Sequence, residues 1–303
     1  MIALFDLLAR LPLAILHRIG AVLGWATYVL SGLYARRLRE NLQHADLGRS
    51  ASDLRTLLHA NIREAGKSVM ELPWVWRRPL AEVVASVKHC QGWEHFEAAR
   101  AQGKGVIILT PHIGCFEIIG LYVAARLPMT CMYRPPRWKF LHTLMHQGRE
   151  RGQMKLARTD LGGVRQLLKA LKRGETIGVL PDQVPGNGEG EWIPYFGRPA
   201  YTMTLIGRLL EASGAVAVMS YVERLPEGSG YALHFLPLAL SLNSSLPLQI
   251  NAALEQVVRA RPEQYLWSYN RYKIPQGAPP PPSDNNGGNN EHPGSINEHR
   301  EEI

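Results

Sequence analysis

Residues 105–117 read GVIILTPHIGCFE. The first six form an apolar, largely β-branched run between Gly105 and Pro111, as expected of a strand buried on both faces. His112 therefore sits just past a strand's carboxyl end, where α/β sheets gather their chemistry. Glu117 follows five residues later. On one continuous helix five positions turn through ~500°, leaving the two side chains ~140° apart and out of contact. They meet only if His112 stays in the loop and Glu117 opens the next helix, with Gly114 giving the backbone its latitude. In that geometry the carboxylate holds one imidazole nitrogen and leaves the other free as a base at neutral pH. A histidine near a glutamate is more often structural, so spacing alone leaves both readings open.

Working outward, short β-prone runs recur at 129–133, 176–180, 216–222 and 231–236. Helical stretches fall between or after them, around 115–126, 138–150, 162–173, 202–213 and 247–260. Upstream, Leu54, Leu57, Leu58, Ile62, Ala65, Val69 and Leu72 keep helical spacing, with Ser52 as the expected N-cap and Pro73 as the stop. This alternation predicts an α/β fold with a mixed, largely parallel central sheet flanked by helices. Hydrophobic residues make up 46% of the 303 and charged residues 20%, which excludes disorder of the whole chain. The three cysteines, Cys90, Cys115 and Cys131, show no C-x-x-C spacing, which argues against a disulfide scaffold or thiolate zinc site and for a reducing compartment. Cys115 lies inside the central stretch, where nucleophile and apolar filler are both open to it, the filler being the commoner role.

The ends differ in kind. IGAVLGWATYVLSGLY (19–34) carries no charge, and the apolar run before it holds Asp6, Arg10 and His17 on one stripe if it is a single helix. Sixteen residues rise ~24 Å, short of a ~30 Å hydrocarbon core. The segment reads as a membrane-associated helix, tilted across the bilayer or lying in the headgroup plane, with two core helices as the competing reading. Arg36, Arg37 and Arg39 directly after it place the rest of the chain on the cytoplasmic side. The tail from 276 to 303 holds five acids and one arginine, and its Pro/Asn/Gly-rich stretch predicts disorder. Of the net +8, residues 1–275 therefore carry 33 cations against 21 acids, a net of +12, which implies an anionic partner. No helix-turn-helix, zinc or RNP pattern supports nucleic acid. The expected organisation is a membrane-anchoring segment at 1–40, an α/β domain at 41–275 and a tail at 276–303.

Five blocks in order now carry a resemblance. TPHIGCFE (110–117) is similar to the H-x4-D/E motif of glycerolipid-type acyltransferases and resembles the block of the lysophospholipid-acyltransferase-like family that adds secondary acyl chains to lipid A, the lauroyl and myristoyl transferases. MYRPP (132–136) resembles that family's Y-R-P block, and ARTDLGGVRQLLKALKRGE (157–175) its R-x-D block with the following helix. GVLPDQ (178–183) followed by PYFGRPAYT (194–202), and RPEQYLWSYNRYK (261–273), resemble the remaining blocks. Order and spacing agree from about residue 2 to 275. Cys115-Phe116 stands where the family often shows Asn-Trp, and Glu117 rather than Asp favours the lipid A branch.

The resemblance implies a glycerolipid acyltransferase-like fold and transfer of an acyl chain from acyl carrier protein, or acyl-CoA, to a hydroxyl of a lipid A precursor at the inner membrane's cytoplasmic face. It implies no metal and no cofactor. His112 would be the general base and Glu117 its orienting partner. Arg134, Arg158 and Asp160 would lie at the rim to meet phosphates, and Asp182, Gln183 and Arg271 would line or anchor the substrate site, although each arginine alone also reads as a solvated surface residue. Another membrane glycerolipid acyltransferase would share these features, as would a thioesterase-type hydrolase using the same dyad on water. An inactive membrane scaffold is disfavoured by the complete set of blocks.

Overall fold

The computed structural model describes residues 2–47, 50–186 and 188–282. Pro12 interrupts the amino-terminal apolar run and opens a second helix, so α1 (Ile2–Ala9) and α2 (Leu13–Leu30) meet at a corner. Arg78 clasps that corner by donating to the carbonyls of Ala9 and Arg10. The expected stripe of Asp6, Arg10 and His17 is thereby split: Asp6 pairs with Arg77 at 2.6 Å, while His17 is buried. Ser31 caps α3 (Gly32–His44) by accepting from Tyr34 N. The next helix, α4 (Ala51–Met70), begins at Ser50 rather than Ser52, because Ser50 and Asp53 form a reciprocal capping box. Pro73 does not end it: α4 stops at Met70 and Pro73 occupies the first turn of α5 (Leu72–Arg77), where its missing N–H costs nothing.

Glycine allows α2 to lie closely along α4. A Cβ on Gly66 would run into the Gly20 carbonyl, and one on Gly24 into the Ile62 carbonyl. The opposite face of α2, with Ile15, Ile19, Val22, Leu23, Val29 and Leu30, is exposed. By length and composition α2 is apolar enough to cross a membrane.

After α6 (Leu80–Ala85) the chain alternates as expected. The elements run β1 (Val87–Gln91), α7 (Trp93–Ala101), β2 (Val106–Leu109), α8 (Glu117–Ala124), β3 (Met129–Tyr133), α9 (Lys139–Arg149), β4 (Met154–Arg158), α10 (Leu161–Lys172) and β5 (Thr176–Val179). A hairpin of β6 (Gly190–Tyr195) and β7 (Arg198–Met203) follows. Then come α11 (Leu205–Ser213), β8 (Val216–Arg224), β9 (Tyr231–Pro237) and α12 (Leu246–Ala260). The seven-stranded sheet has the order β1-β9-β8-β2-β5-β3-β4. β8, β2, β5, β3 and β4 run parallel, and β9 turns back antiparallel to β8 with β1 parallel to it. The expected mixed, largely parallel sheet is what forms.

Every residue of β2 and β5 is buried, as required of central strands covered on both faces. Ile107, Leu109, Ile177 and Val179 pack under α10, α11 and α12, while Val106, Ile108 and Val222 pack under α7, α8 and α9. Each such aliphatic side chain contributes roughly 1.5–3 kcal/mol through burial. β2 and β5 end side by side, so the loops after Leu109 and Val179 emerge together. That register builds the site. Of the tail expected from 276, residues 276–282 form no helix or strand, and the Pro279 carbonyl accepts from Trp192; residues 283–303 lie outside those described.

Candidate active site

The loop after β2 is clamped before it offers any side chain. Thr110 N donates to the Val179 carbonyl, and its hydroxyl bonds the Ser220 hydroxyl in the core. On the other side the closing segment runs past it: Leu266 N donates to the His112 carbonyl, and Gly114 N donates to the Gln264 carbonyl. The Gln264 side chain is spanned by Arg224, accepting from its N–H and donating to its carbonyl. Gly114 has φ +56°, and a Cβ there would strike the Val222 carbonyl, so the turn requires glycine. The block P-E-Q-Y (262–265) thus serves as a backbone splint for the histidine loop.

His112 is held from the neighbouring strand. The Asp182 carboxylate, just beyond β5, lies 2.8 Å from His112 Nδ1 through one oxygen and accepts from His112 N–H at 2.8 Å through the other. Burial pushes the Asp182 carboxyl up, but the imidazole and these hydrogen bonds outweigh it and hold the group below the usual aspartate range. An ionised carboxylate only accepts, so Nδ1 carries the proton and Nε2 carries the lone pair. Gln183 Nε2 donates to that lone pair at 3.2 Å. Phe116 packs edge-on against the imidazole, its ring centroid 4.6 Å away. The result is a part-buried imidazole held at Nδ1 by Asp182, with its Nε2 against the Gln183 amide.

Glu117 opens α8 as the spacing argument requires, but its carboxylate goes elsewhere. It accepts from Arg149 through both oxygens, Nε at 2.7 Å and Nη2 closer still, and from Trp76 Nε1 at 3.2 Å. Among the described residues no hydrogen bond joins Glu117 to His112, which corrects the expected contact. The physical reason is charge. A buried carboxylate takes the strongest donor within reach, and the planar guanidinium of α9 satisfies both oxygens at once. Asp182, arriving from the adjacent strand, occupies the place at Nδ1.

The remaining expected positions separate into rim and interior. Arg134 follows β3 and is exposed, close enough to Tyr269 to bear on its hydroxyl electrostatically. That hydroxyl accepts from Val184 N, next to Gln183. Arg158 and Asp160 are exposed and face each other at 3.7 Å, and Asp160 also caps α10 by accepting from Gly163 N. Arg271 is buried. It donates to the Tyr201 carbonyl and the Thr202 hydroxyl, bracing β7 from within. Cys115 is buried and its thiol is raised well above the usual range by desolvation, which fits the filler reading and not a nucleophile. His142 and His146 lie against Tyr133, and among the described residues no three His, Cys, Asp or Glu side chains group as metal ligands.

Comparison with known proteins decides the family. The model of the bacterial lipid A biosynthesis acyltransferases matches residues 1–274. The chain belongs to that family. It is similar to the lipid A biosynthesis lauroyltransferase of Escherichia coli K12, 29% identical over 284 residues that cover 90% of each chain. The palmitoleoyltransferase of the same strain is 26% identical over 243 residues, 78% of this chain and 77% of its own. The myristoyltransferase is 26% identical over 183 residues, 58% and 56% respectively.

Two groups in this lipid A acyltransferase family member escape sequence reasoning. Arg149, which carries the Glu117 pair, reads only as one basic residue at a helix end. The second is a buried polar knot joining α2 to the sheet. Glu71 accepts from Arg224 through both oxygens (2.9 and 2.5 Å), from Tyr231 OH at 3.0 Å, and lies 3.2 Å from His17 Nε2. Arg224 also reaches Glu64 at 2.6 Å. Its backbone is the one that Gln264 spans, so the knot sits directly behind the histidine loop. Nothing in the sequence marks Glu64, Glu71 and Arg224 out from the charged neighbours Arg63, Lys67 and Glu223.

Proposed function

We propose that this acyltransferase moves a fatty acyl chain from acyl carrier protein to a hydroxyl of a lipid A precursor, with His112 as general base and Asp182 as the group that holds it. The observation that carries the reading is the pinned Nδ1, which leaves the lone pair of Nε2 available. As the acceptor oxygen attacks the thioester carbonyl, Nε2 takes its proton, and Gln183 swings aside to admit the hydroxyl. The tetrahedral oxyanion collapses, the C–S bond breaks, and the imidazolium returns the proton to the departing thiolate. General base catalysis of this kind contributes about 10²–10⁴-fold, the rest coming from positioning and oxyanion stabilisation. The amides that open α8 and the Gln183 side chain are the available oxyanion donors.

Glu117 serves differently: through Arg149 it ties α8 to α9 beside the site. Arg134 and Arg158 are exposed guanidinium groups suited to the precursor's phosphates, and the +12 body fits so anionic a substrate. The exposed apolar face of α2, with Ile2, Leu4 and Leu7 of α1, would sit in lipid on the cytoplasmic side of the inner membrane. No cofactor enters this chemistry; the thioester supplies the activated acyl group.

The test mixes purified protein with acyl carrier protein bearing lauroyl, myristoyl or palmitoyl chains and a tetraacylated lipid A precursor, read by mass spectrometry. Addition of one acyl chain is expected. Turnover of a lysophospholipid with none of the precursor would contradict the acceptor, and hydrolysis unaffected by acceptor would point to a thioesterase.

A further inference from the structure

Away from His112, a groove of about 410 Å³ runs along α10, lined by Thr130, Lys155, Arg165, Gln166, Lys169 and Arg173 with Gly162 at its end. Its charge is one-sided. Arg173 is paired with Glu175 at 2.6 Å, and the same carboxylate bears electrostatically on Lys155, whereas Arg165 and Lys169 are exposed and make no hydrogen bond or ion pair among the described residues. Positions 162, 165, 166, 169 and 173 lie on one face of α10 and beyond its end, a stripe ~17 Å long. At the end nearest the sheet's carboxyl edge stands Leu161, 74% exposed.

We infer that this groove docks an acidic helix of the protein that carries the acyl thioester. The inference rests on the donor proposed above. Shape and chemistry both select such an occupant. A compact anion would engage one or two of these cations, whereas a helix laid alongside α10 presents carboxylates at i, i+4 spacing to Arg165 and Lys169 and has length left to meet Lys155 on β4. Leu161 adds an apolar anchor beside the charges, the pattern of an interface core with a polar rim. No aromatic side chain lines the groove, so a nucleic acid finds no stacking surface. The exposed apolar side chains suited to lipid concentrate on α1 and α2.

The position relative to the chemistry supports the same occupant. Lys155 pairs across the sheet with Thr130, Thr130 with Ile177, and Ile177 with Ile107. Three strand spacings of ~4.8 Å and five residues of ~3.3 Å then separate Lys155 from His112 by roughly 20 Å. A partner seated in the groove reaches His112 only by extending its acyl group on a long arm, which is how a carrier protein presents a thioester.

The experiment compares full-length wild type with a Lys155→Glu, Arg165→Glu, Lys169→Glu variant and a milder all-Gln variant at the same positions. Each is given lauroyl acyl carrier protein or lauroyl-pantetheine, the carrier-free thioester. The expected result is a KM for the carrier-bound donor raised about tenfold in the Glu variant and less in the Gln variant, with kcat unchanged. Rates with lauroyl-pantetheine stay at wild type, and the wild-type rise of KM with salt is flattened. An unchanged carrier KM in both variants overturns the assignment, as does an equal loss with both donors. Lost binding to phosphatidylglycerol vesicles at unchanged carrier KM identifies a lipid contact instead. Wild type that uses lauroyl-pantetheine but not the carrier-bound donor refutes the donor reading itself and the docking surface with it.

Discussion

At the scale of single residues, the account turns on which carboxylate serves the imidazole. Asp182→Asn keeps the side chain's size but removes its charge, so the Nδ1 proton is no longer fixed and Nε2 spends less time as a base. We expect kcat to fall by about 10²-fold or more with a melting temperature close to wild type. Glu117→Gln should behave oppositely. It leaves the Arg149 guanidinium without its counter-charge, costing about 1–3 kcal/mol of stability, and kcat at a permissive temperature should fall less than in Asp182→Asn. Parallel thermal melts and kcat values check the contrast; a larger kcat loss in Glu117→Gln would reverse the assignment. The sequence exposed His112, Glu117 and Asp182 but not their pairing. Spacing can judge only a local contact, and Asp182 reaches His112 across 70 residues because β2 and β5 are neighbours.

At the scale of elements, central strands were legible because burial on both faces writes a continuous apolar run, as in Val106–Leu109 and Thr176–Val179. The strands missed were at edges or in the hairpin. Lys88 and His89 in β1 and Lys155 and Arg158 in β4 face solvent, so their segments read as polar connections. The hairpin of β6 and β7 carries Pro194 and Pro199, residues that argue against a strand unless it is an edge. The packing of α2 on α4 was equally hidden, since glycines mark close approach only once the partner is known. Gly66→Ala should force the two helices apart and cost about 1–3 kcal/mol through overpacking. Faster hydrogen exchange in α2 than in wild type is the expected readout; unaltered exchange and melting would mean the helices do not depend on that contact.

At the scale of the molecule, the polar knot ties the amino-terminal helices to the sheet behind the catalytic loop. Desolvation alone would raise the Glu71 carboxyl, yet the Arg224 guanidinium and His17 draw it down to about 2. A group held below its unfolded value of 4.5 stabilises the fold fully above that pH and loses its contribution as pH falls toward 2. Wild type should therefore lose stability across that acid window, and Glu71→Gln should be less stable at neutral pH by about 1–3 kcal/mol because the buried Arg224 loses one of its two carboxylates and keeps only Glu64. Denaturant melts from pH 2 to 7 check this, and an equally steep acid loss in the variant would remove Glu71 as the cause. The central claim, however, is chemical: one imidazole at the end of β2 removes the proton from the acceptor hydroxyl. Its most direct test is the single-turnover rate of acyl transfer to the lipid A precursor by His112→Ala, in protein shown by its melting temperature to be folded. The account predicts a rate lower by about 10²–10⁴-fold; transfer at the wild-type rate would contradict it.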